Sequence, residues 1–456
     1  MTAAALAAAV DGVIVGDPDA VVTSFAIDSR DLEPGACFVA LRGVRDGHDF
    51  AADAFARGAT VALVAREVDH PAAAALVVVD DPLGALARAA AHTRAAWTDV
   101  TVVGITGSVG KTSTKDLTAA ALGGARRVHA SRGSFNNESG LPLTLLHTPG
   151  GTEVVIAEMG ARFPGNIADL CLVARPSVGV VTRVGLAHAA HLGGPAGILE
   201  TKGELVEALP ASGTAVLNAD DPASPALAAR TAARVLTVGR RPDADVVVGE
   251  IVLDRDLRPR FALASPWGTV EVALAVRGEH QAQNAAMAAT VGLVLGVAPE
   301  SVAAGLARAE TASGRMELAT SPGGVVVIND AYNANPDSVR AALASLRAYR
   351  PTGRRVAVLG DMLELGGHAE AEHAAVADLA ATAGVDLLVA VGPHSAVTAA
   401  HAARAGIETL HAADRDEARA LVTARVRPGD AVLLKASRGI GLETVADALA
   451  RGEADR

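Results

Sequence analysis

The stretch VTVVGITGSVGKTST, residues 100–114, decides the fold of this 456-residue chain. Its first half, Val100 to Thr106, is an apolar run of the kind that forms a buried parallel strand. Glycines and then a helix-forming segment follow at once, which is the order of strand, phosphate-binding loop and helix. We therefore expect a nucleotide-binding α/β unit to begin near residue 98.

The loop itself predicts binding of a nucleotide's phosphates. Backbone N–H groups at a helix N-terminus can surround phosphate oxygens. Lys111 would neutralise the outer phosphates, and the Thr112 hydroxyl would bind Mg²⁺. Ile105 stands where the full Walker pattern has glycine, so a plain glycine turn is the alternative. The predicted phosphate-binding residues are Gly107, Ser108, Val109, Gly110, Lys111, Thr112 and Ser113.

Outward from this loop, alternating strand and helix patterns predict three α/β domains. The strand candidates are residues 37–41, 59–65, 153–159, 178–184 and 213–218, with four apolar runs after residue 314. The expected domains are a small α/β domain at 1–98, a central P-loop domain with a mostly parallel sheet at 99–313, and a C-terminal Rossmann-like domain at 314–456.

Composition excludes several classes of protein. Aromatic residues make up only 2% of the chain, so the cores must be packed from Ala, Val and Leu. The formal charge of -11 is not gathered in blocks, which indicates no nucleic-acid surface and no polybasic membrane patch. The longest apolar stretch, 285–297, is shorter than the roughly 20 residues of a bilayer span. Residues 1–10 predict a helix rather than a secretory signal. With only Cys37 and Cys171, a reducing, cytoplasmic location is expected.

A carboxylate and an imidazole follow two of the predicted central strands. Glu158 ends one strand, and His188 comes shortly after another. Ligands bind at the carboxyl ends of parallel strands, where the phosphate-binding loop also opens. Magnesium prefers oxygen ligands, which suits Glu158, whereas a lone histidine such as His188 is more often structural.

These motifs resemble those of the Mur ligase family, and the resemblance runs through all three predicted domains. Thr106 to Thr114 is similar to the family's TGxxGKTST loop, and Glu158 and His188 match its strand-end glutamate and the histidine of its TNxGxAH segment. Lys202 resembles the lysine that the family uses as a carbamate at the second Mg²⁺. A carbamylated Lys202 would attract metal ions that an ammonium would repel. The residues alone, with Glu200 and Glu204 on either side, favour a solvated helix lysine.

The resemblance also implies where ATP lies. His280 and Asn284 resemble the family's GxHNxxN segment, whose last asparagine lies by the adenine, although Asn284 could instead cap a helix. Arg315 matches the arginine that reaches the transferred phosphate, and Asp330 matches the aspartate that contacts the ribose. The implied catalytic residues are Lys111, His188, Lys202 and Arg315, and the implied metal ligands are Thr112, Glu158, His188 and Lys202.

Three segments resemble the family member that adds D-alanyl-D-alanine to a UDP-N-acetylmuramoyl-tripeptide. Residues 330–338, DAYNANPDS, resemble its signature, and residues 134–143 resemble its loop with paired asparagines, which could also be an ordinary turn. Asp28 to Arg30 resembles the uridine-nucleotide-binding segment that the diamino-acid-adding member shares. The implied substrate-binding residues are Ser29, Arg30, Asn136, Asn137, Tyr332, Asn333 and Asn335.

The implied protein is a monomeric ATP- and Mg²⁺-dependent ligase that works through an acyl phosphate and joins those two substrates. Another Mur-type ligase, such as the diamino-acid-adding one, and a non-catalytic nucleotide-binding protein are the alternatives. The chain has no Asp-Asn-Pro-Arg motif, which counts against the diamino-acid-adding member. Arg183, Gln281 and Ala436 depart from the family's pattern.

Overall fold

Three sheets organise the chain, and apolar residues cover both faces of their parallel parts. The computed structural model describes residues 1–186, 189–310 and 312–453. Within this part the sheets occupy residues 13–78, 101–273 and 317–435. The predicted boundaries fall between the sheets, near 98 and 313, and they stay predictions.

The first sheet has the strand order β1-β5-β4-β3-β2, parallel except for β1. Cys37 and Val39 pack on one face with Leu6 and Leu86, whereas Phe38 packs on the other. This period of two, with both faces apolar, is typical of a parallel strand covered on both sides. The elements are α1 Ala3–Val10, β1 Val13–Gly16, β2 Ser24–Ala26, β3 Ala36–Val39, α2 Ala51–Ala56, β4 Val61–Val64, β5 Ala75–Val78 and α3 Pro82–Ala95, with 3-10 turns at Ser29–Asp31 and Gly47–Phe50.

The central sheet has the order β13-β14-β12-β11-β10-β9-β6-β8-β7, and β15 pairs with β14. Its strands are β6 Thr101–Thr106, β7 Val128–Ala130, β8 Val154–Glu158, β9 Val178–Val181, β10 Thr214–Asn218, β11 Arg234–Gly239, β12 Val246–Val248, β13 Val252–Leu253, β14 Pro259–Ser265 and β15 Gly268–Ala273. Its helices are α4 Lys111–Leu122, α5 Gly140–Leu146, α6 Asn166–Ala174, α7 Ala189–Leu192, α8 Gly194–Glu207, α9 Ser224–Ala228, α10 His280–Val294 and α11 Pro299–Leu306.

The prediction of a mostly parallel central sheet is correct for β6 to β12, but it omitted an antiparallel extension. Strands β13, β14 and β15 pair antiparallel at the far edge. Phe261, Leu263 and Val272 point into the core while Arg260 and Glu271 are exposed. One buried and one solvated face is the pattern of an antiparallel edge rather than of a doubly covered strand.

The third sheet has the order β16-β17-β21-β18-β19-β20 and is parallel except for β16. All four apolar runs predicted here form strands. The elements are β16 Glu317–Thr320, β17 Val326–Asn329, α12 Pro336–Ala348, β18 Arg355–Gly360, α13 Ala369–Thr382, β19 Leu387–Val391, α14 Ser395–Arg404, β20 Glu408–Ala412, α15 Arg415–Thr423, β21 Ala431–Lys435 and α16 Glu443–Arg451, with 3-10 turns at Gly366–His368 and Arg438–Ile440.

The parallel topology positions the site. Strands β8, β6 and β9 are neighbours in register, so Glu158 pairs with Ile105 and Thr106 pairs with Val181. Their carboxyl ends therefore open at one edge, where ligands bind in α/β sheets. In the described part of the chain, none of the helices combines the length and hydropathy that a bilayer span requires.

Candidate functional site

Two glycines shape the loop between β6 and α4. Gly107 has φ +144°, and a Cβ there would collide with the Thr182 side chain. Gly110 has φ +84°, and its Cβ would lie 2.6 Å from Oδ1 of Asn284. No side chain caps α4, which begins at Lys111. Its first N–H groups are thus left for a ligand, as in an anion-binding helix N-terminus.

Lys111 and Thr112 lie at the start of α4. Lys111 Nζ donates to the carbonyl oxygen of Gly107 at 2.7 Å. Burial lowers the pKa of Lys111, and Arg315 lowers it further, while the Glu158 carboxylate opposes both effects. Thr112 Oγ1 accepts a hydrogen bond from Nη2 of Arg315 at 3.1 Å, across 203 residues of sequence. An added anion would relieve this crowding of positive charge.

Glu158 presents an unpaired oxygen inside the protein. The residue is only 1% exposed. Its Oε1 accepts from Nδ2 of Asn136 at 2.7 Å, but its Oε2 has no hydrogen-bond partner among the described residues. A buried carboxylate oxygen without a partner is costly unless a ligand satisfies it. The Asn136 contact supports the predicted role of that loop, because it fixes the orientation of the carboxylate.

Lys202 is 2% exposed, so the alternative of a solvated helix lysine is wrong. Burial lowers its pKa to about 7, helped by the charge of Lys111 and opposed by Glu204. Within the described part of the chain, its amine has no hydrogen-bond partner. Glu204 instead accepts from the N–H groups of Gly165 and Ala168 at the start of α6. His188, the remaining predicted metal ligand, lies outside the described residues.

The predicted nucleoside end packs against the loop. Asn284 lies within α10, not at its start, so the alternative of a helix N-cap is wrong. Its Nδ2 donates to Oε1 of Gln281 at 3.0 Å, and Gln281 in turn lies 3.5 Å from the Ser113 hydroxyl. Burial lowers the pKa of His280, and its Nδ1 has no partner in the described structure. A neutral imidazole is therefore available here.

The third domain contributes Arg315 and Asp330. The Arg315 guanidinium lies 4.3 Å from the centre of the Tyr332 ring, which holds it over the loop. Asp330 Oδ2 accepts from Nζ of buried Lys435 at 2.5 Å, and its Oδ1 accepts from the N–H of Met316 at 3.2 Å. Asp330 thus fixes the backbone beside Arg315 as well as facing the cleft.

Tyr332 and the asparagines near it line the same space. The Tyr332 hydroxyl lies 2.5 Å from the hydroxyl of Ser134. Asn335 caps α12 in a reciprocal bond with Ser338, and its Nδ2 lies 3.5 Å from the carbonyl of Ser108. Asn333 bonds Lys435 through its carbonyl oxygen. Asn137 is a turn residue here, because its Oδ1 accepts from the N–H of Gly140 at 2.9 Å.

A cavity of about 1050 Å³ between the second and third sheets brings most of the predicted residues together. Its lining includes Ser108, Val109, Gly110, Lys111, Thr112, Ser113, Asn136, Asn137, Glu158, His280, Asn284, Arg315, Asp330, Tyr332, Asn333 and Asn335. Gly107 and Lys202 are not among the lining residues. The described chain therefore encloses one deep cleft with the phosphate loop on one wall and Arg315 on the other.

Ser29 and Arg30 are not in that cleft. Arg30 is exposed and bonded to Asp28 at 2.7 Å, which lowers the pKa of Asp28 to about 2. Ser29 is buried. A second cavity of about 630 Å³ lies between the first and central domains, and neither residue lines it. Its lining is Leu41, Arg42, His48, Ala65, Asp80, Asp81, Pro82, Leu83, Glu138 and Ser139.

Sequence reasoning missed Lys115 and Lys435, although a signal was present. The chain has only four lysines, at 111, 115, 202 and 435, among 40 basic residues. Lys115 is buried, and its Nζ donates to the carbonyls of Ser131 and Gly133 at 2.6 and 2.9 Å. These bonds anchor the loop that carries Asn136. A compact ammonium suits such carbonyl contacts better than a planar guanidinium does.

A cross-cleft ion pair was also missed. Arg183, one of the departures from the family pattern, lies 3.3 Å from Asp337 at the start of α12. The pair joins the end of β9 to the third domain. No signal in the sequence links these two residues, because 154 positions separate their numbers.

Comparison with known proteins agrees with this geometry. Residues 21–94, 105–292 and 314–438 match the families described as Mur ligase family, catalytic domain; Mur ligase middle domain; and Mur ligase, glutamate ligase domain. A UDP-N-acetylmuramoyl-tripeptide--D-alanyl-D-alanine ligase of Mycobacterium tuberculosis is 47% identical over 92% of this chain and 91% of that protein.

Solved structures give the same result. MurF from Acinetobacter baumannii superposes with a TM-score of 0.89 and 31% identity, and the match covers 98% of both chains. MurF ligase from Thermotoga maritima in complex with ADP superposes with a TM-score of 0.81 and 29% identity over 94% of this chain and 97% of that one. The predicted three-domain α/β fold and family are confirmed. The chain belongs to the Mur ligase family.

Proposed function

We propose that this protein joins D-alanyl-D-alanine to UDP-N-acetylmuramoyl-tripeptide at the expense of ATP. The observation that carries the proposal is the single cleft in which Lys111, Thr112 and Glu158 face Arg315 of the third domain. Relatives with this activity align along nearly the whole chain, which supports the choice of substrates. The proposed setting is the cytoplasm, and the proposed active form is a monomer.

The reaction brings anions together, and the cleft supplies charge to oppose their repulsion. The tripeptide's terminal carboxylate attacks the γ-phosphorus of ATP, and the bond from that phosphorus to the β–γ bridging oxygen breaks. ADP departs, and the tripeptide becomes an acyl phosphate. The dipeptide amine then attacks the acyl carbon, phosphate departs, and the amine loses a proton. Lys111 and Arg315 would stabilise the charge that develops on the transferred phosphate.

Mg²⁺ is the proposed metal, and the residues present fit it. The unpartnered Oε2 of Glu158 and the hydroxyl of Thr112 are the oxygen donors that Mg²⁺ prefers. When bound, Mg²⁺ would offset the charge of the phosphates. Lys202 would contribute as a carbamate, since its burial favours the neutral amine from which a carbamate forms, and no described residue bonds that amine. His188 remains the further proposed ligand.

The nucleoside of ATP and the uridine nucleotide of the other substrate are assigned to different parts of the chain. Asn284 and His280 would lie by the adenine, and Asp330 by the ribose. Ser29 and Arg30 are proposed to meet the uridine nucleotide from the first domain. The asparagine loop of residues 134–139 borders both cavities, because Asn136 lines the first and Glu138 lines both. A substrate reaching from the first domain to the cleft would pass along this loop.

The test measures phosphate release and product mass with ATP, a UDP-tripeptide and D-alanyl-D-alanine, each omitted in turn. Release should require all three, and single D-alanine or diaminopimelate should not replace the dipeptide. Lys111→Ala should lower kcat by on the order of 100-fold or more, because it removes a phosphate counter-charge. Arg241→Ala, at an exposed ion pair with Asp243, is the control and should leave kcat unchanged. Dipeptide-independent phosphate release would contradict the proposal.

A further inference from the structure

Most cationic side chains that line the cleft already have an anionic or polar partner. Arg183 pairs with Asp337, and Arg240 pairs with Glu279. Arg315 bonds Thr112, and Lys435 bonds Asp330. Within the described residues, five cations line the cleft without an ion pair. Lys111 and Arg315 are assigned to the transferred phosphate, which leaves Arg162, Arg340 and Arg438. The proposed reaction needs one such group, because the acceptor dipeptide carries a C-terminal carboxylate.

Arg438 is exposed to the cleft but held in place. It follows β21, and the preceding Ser437 is buried, with its hydroxyl accepting from the N–H of Leu363 at 2.9 Å. The Arg438 Nη1 donates to the Tyr332 hydroxyl at 3.2 Å, and its guanidinium lies 5.2 Å from the centre of the Tyr332 ring. A guanidinium has five N–H donors in a fixed fork, so several remain for a carboxylate.

Hydrogen bonds and one short loop connect Arg438 to the proposed reacting centre. The Tyr332 hydroxyl that holds it also contacts Ser134, two residues before the Asn136 that orients Glu158. Arg438 is therefore one short loop away from the proposed reacting centre. The acceptor's carboxylate would then meet the cleft wall that carries Arg438.

The other two unpaired arginines lie elsewhere. Arg340 is on α12, the helix whose Ser345 approaches Gly278, next to the proposed adenine-binding segment. Arg162 precedes α6 in the central domain. Neither is tied to Tyr332.

We propose that Arg438 binds the C-terminal carboxylate of the acceptor dipeptide. This inference rests on the proposed function and adds a residue and a chemical group to it. Tyr332 holds the guanidinium through its ring and its hydroxyl. The contact is a charge-assisted, bidentate hydrogen bond, the strongest type that a carboxylate makes with a side chain.

The test compares D-alanyl-D-alanine with D-alanyl-D-alaninamide, which lacks the carboxylate charge, in the wild-type protein, Arg438→Met and Arg340→Met. The wild type should prefer the acid in kcat/KM by about 10- to 100-fold, the range of a hydrogen bond to a charged group. Arg438→Met should lose this preference by weakening use of the acid alone, with unchanged KM for ATP. Arg340→Met should keep the preference.

The outcomes separate the inference from the proposed function. A wild-type protein that uses neither acceptor would contradict the function itself. A wild type that uses the dipeptide, with an Arg438→Met variant that still prefers the acid as strongly, would overturn the role of Arg438 alone. Loss of the preference in Arg340→Met instead would move the carboxylate to Arg340 and equally overturn it.

Discussion

Lys202 is a cation by residue type, yet its proposed role beside Mg²⁺ requires an anion. Of the four lysines, Lys115 and Lys435 pair with carboxylates and Lys111 bonds a carbonyl. Only Lys202 lacks a hydrogen-bond partner in the described structure while being almost fully buried. Conversion to a metal-bound carbamate would give this amine the partner that the described residues do not supply.

Carbamylation of Lys202 can be observed directly. With ¹³C-labelled CO₂ and Mg²⁺, the wild-type protein should show a carbamate carbon signal in NMR that disappears in Lys202→Ala. That variant should lose at least about 100-fold in kcat through the missing metal ligand, and added acetate should restore part of it. Lys202→Arg should be inactive and unresponsive to acetate, because its charge has the wrong sign.

Full activity of Lys202→Arg would show that the residue needs no negative charge. A carbamate signal that persists in Lys202→Ala would place the adduct on another amine. Either result would return Lys202 to the role of a buried structural lysine.

At the scale of elements, helix α4 has a role beyond the proposed binding of phosphate, because its second turn anchors the loop of residues 131–139. Lys115 bonds two carbonyls of that loop. The neighbouring Asp116 accepts from the N–H of Ala312, just before Arg315. The same turn therefore connects the proposed phosphate loop to the loop of residues 131–139 and to the segment just before Arg315.

Lys115→Met should loosen this loop while leaving α4 folded. Amide hydrogen exchange in residues 131–139 should accelerate, and kcat should fall by about 10-fold because Asn136 no longer holds Glu158 in a fixed orientation. The KM for ATP should change much less. Arg126→Met, an exposed substitution just after the same helix, is the matched control. Unchanged exchange and unchanged kcat in Lys115→Met would mean that the loop holds its shape without the lysine.

At the scale of the whole molecule, the proposed ATP site is divided between two domains, so closure of the cleft would control its completeness. The Arg183–Asp337 pair crosses this cleft, and both side chains are partly exposed. Exposed ion pairs contribute about 0.2–1 kcal/mol, enough to shift a closed–open equilibrium by a few-fold at most.

Arg183→Asn and Asp337→Asn should each enlarge the mean radius of gyration of the ligand-free protein in small-angle scattering, by similar small amounts. The double variant should add little beyond either single one, because both remove the same contact. High salt should produce the same shift in the wild type. Fully additive effects would show that the two residues act independently of the pair.

The two thiols provide a second global observable. Burial raises the pKa of Cys37 and of Cys171 to about 12 each, so both are protonated at any pH well below that value. The thiolate is the reactive form. At pH 8 a disulfide reagent should therefore label the native protein very slowly and both cysteines promptly after unfolding. Rapid labelling of one cysteine in the native state would reveal opening of its domain.

The sequence by itself determined the family and the three α/β units, and it pointed to the proposed phosphate loop. That loop is a local feature, because a buried strand, two glycines at positive φ and a helix start all lie within residues 100–114. Parallel connection then places Glu158 at the same sheet edge, because the carboxyl ends of neighbouring parallel strands coincide. The antiparallel edge of β13 to β15 was missed, although its alternating pattern was present.

Only the tertiary structure decided which distant groups meet. Arg315 reaches Thr112, Tyr332 reaches Ser134, and Asn136 rather than solvent satisfies one oxygen of Glu158. The burial of Lys202 also depends on how α8 packs, since its neighbours Glu200 and Glu204 give the local pattern of a solvated helix. The physical reason is that burial and cross-domain contact depend on packing between segments far apart in the chain, whereas residue type and spacing report only the local preference of each segment.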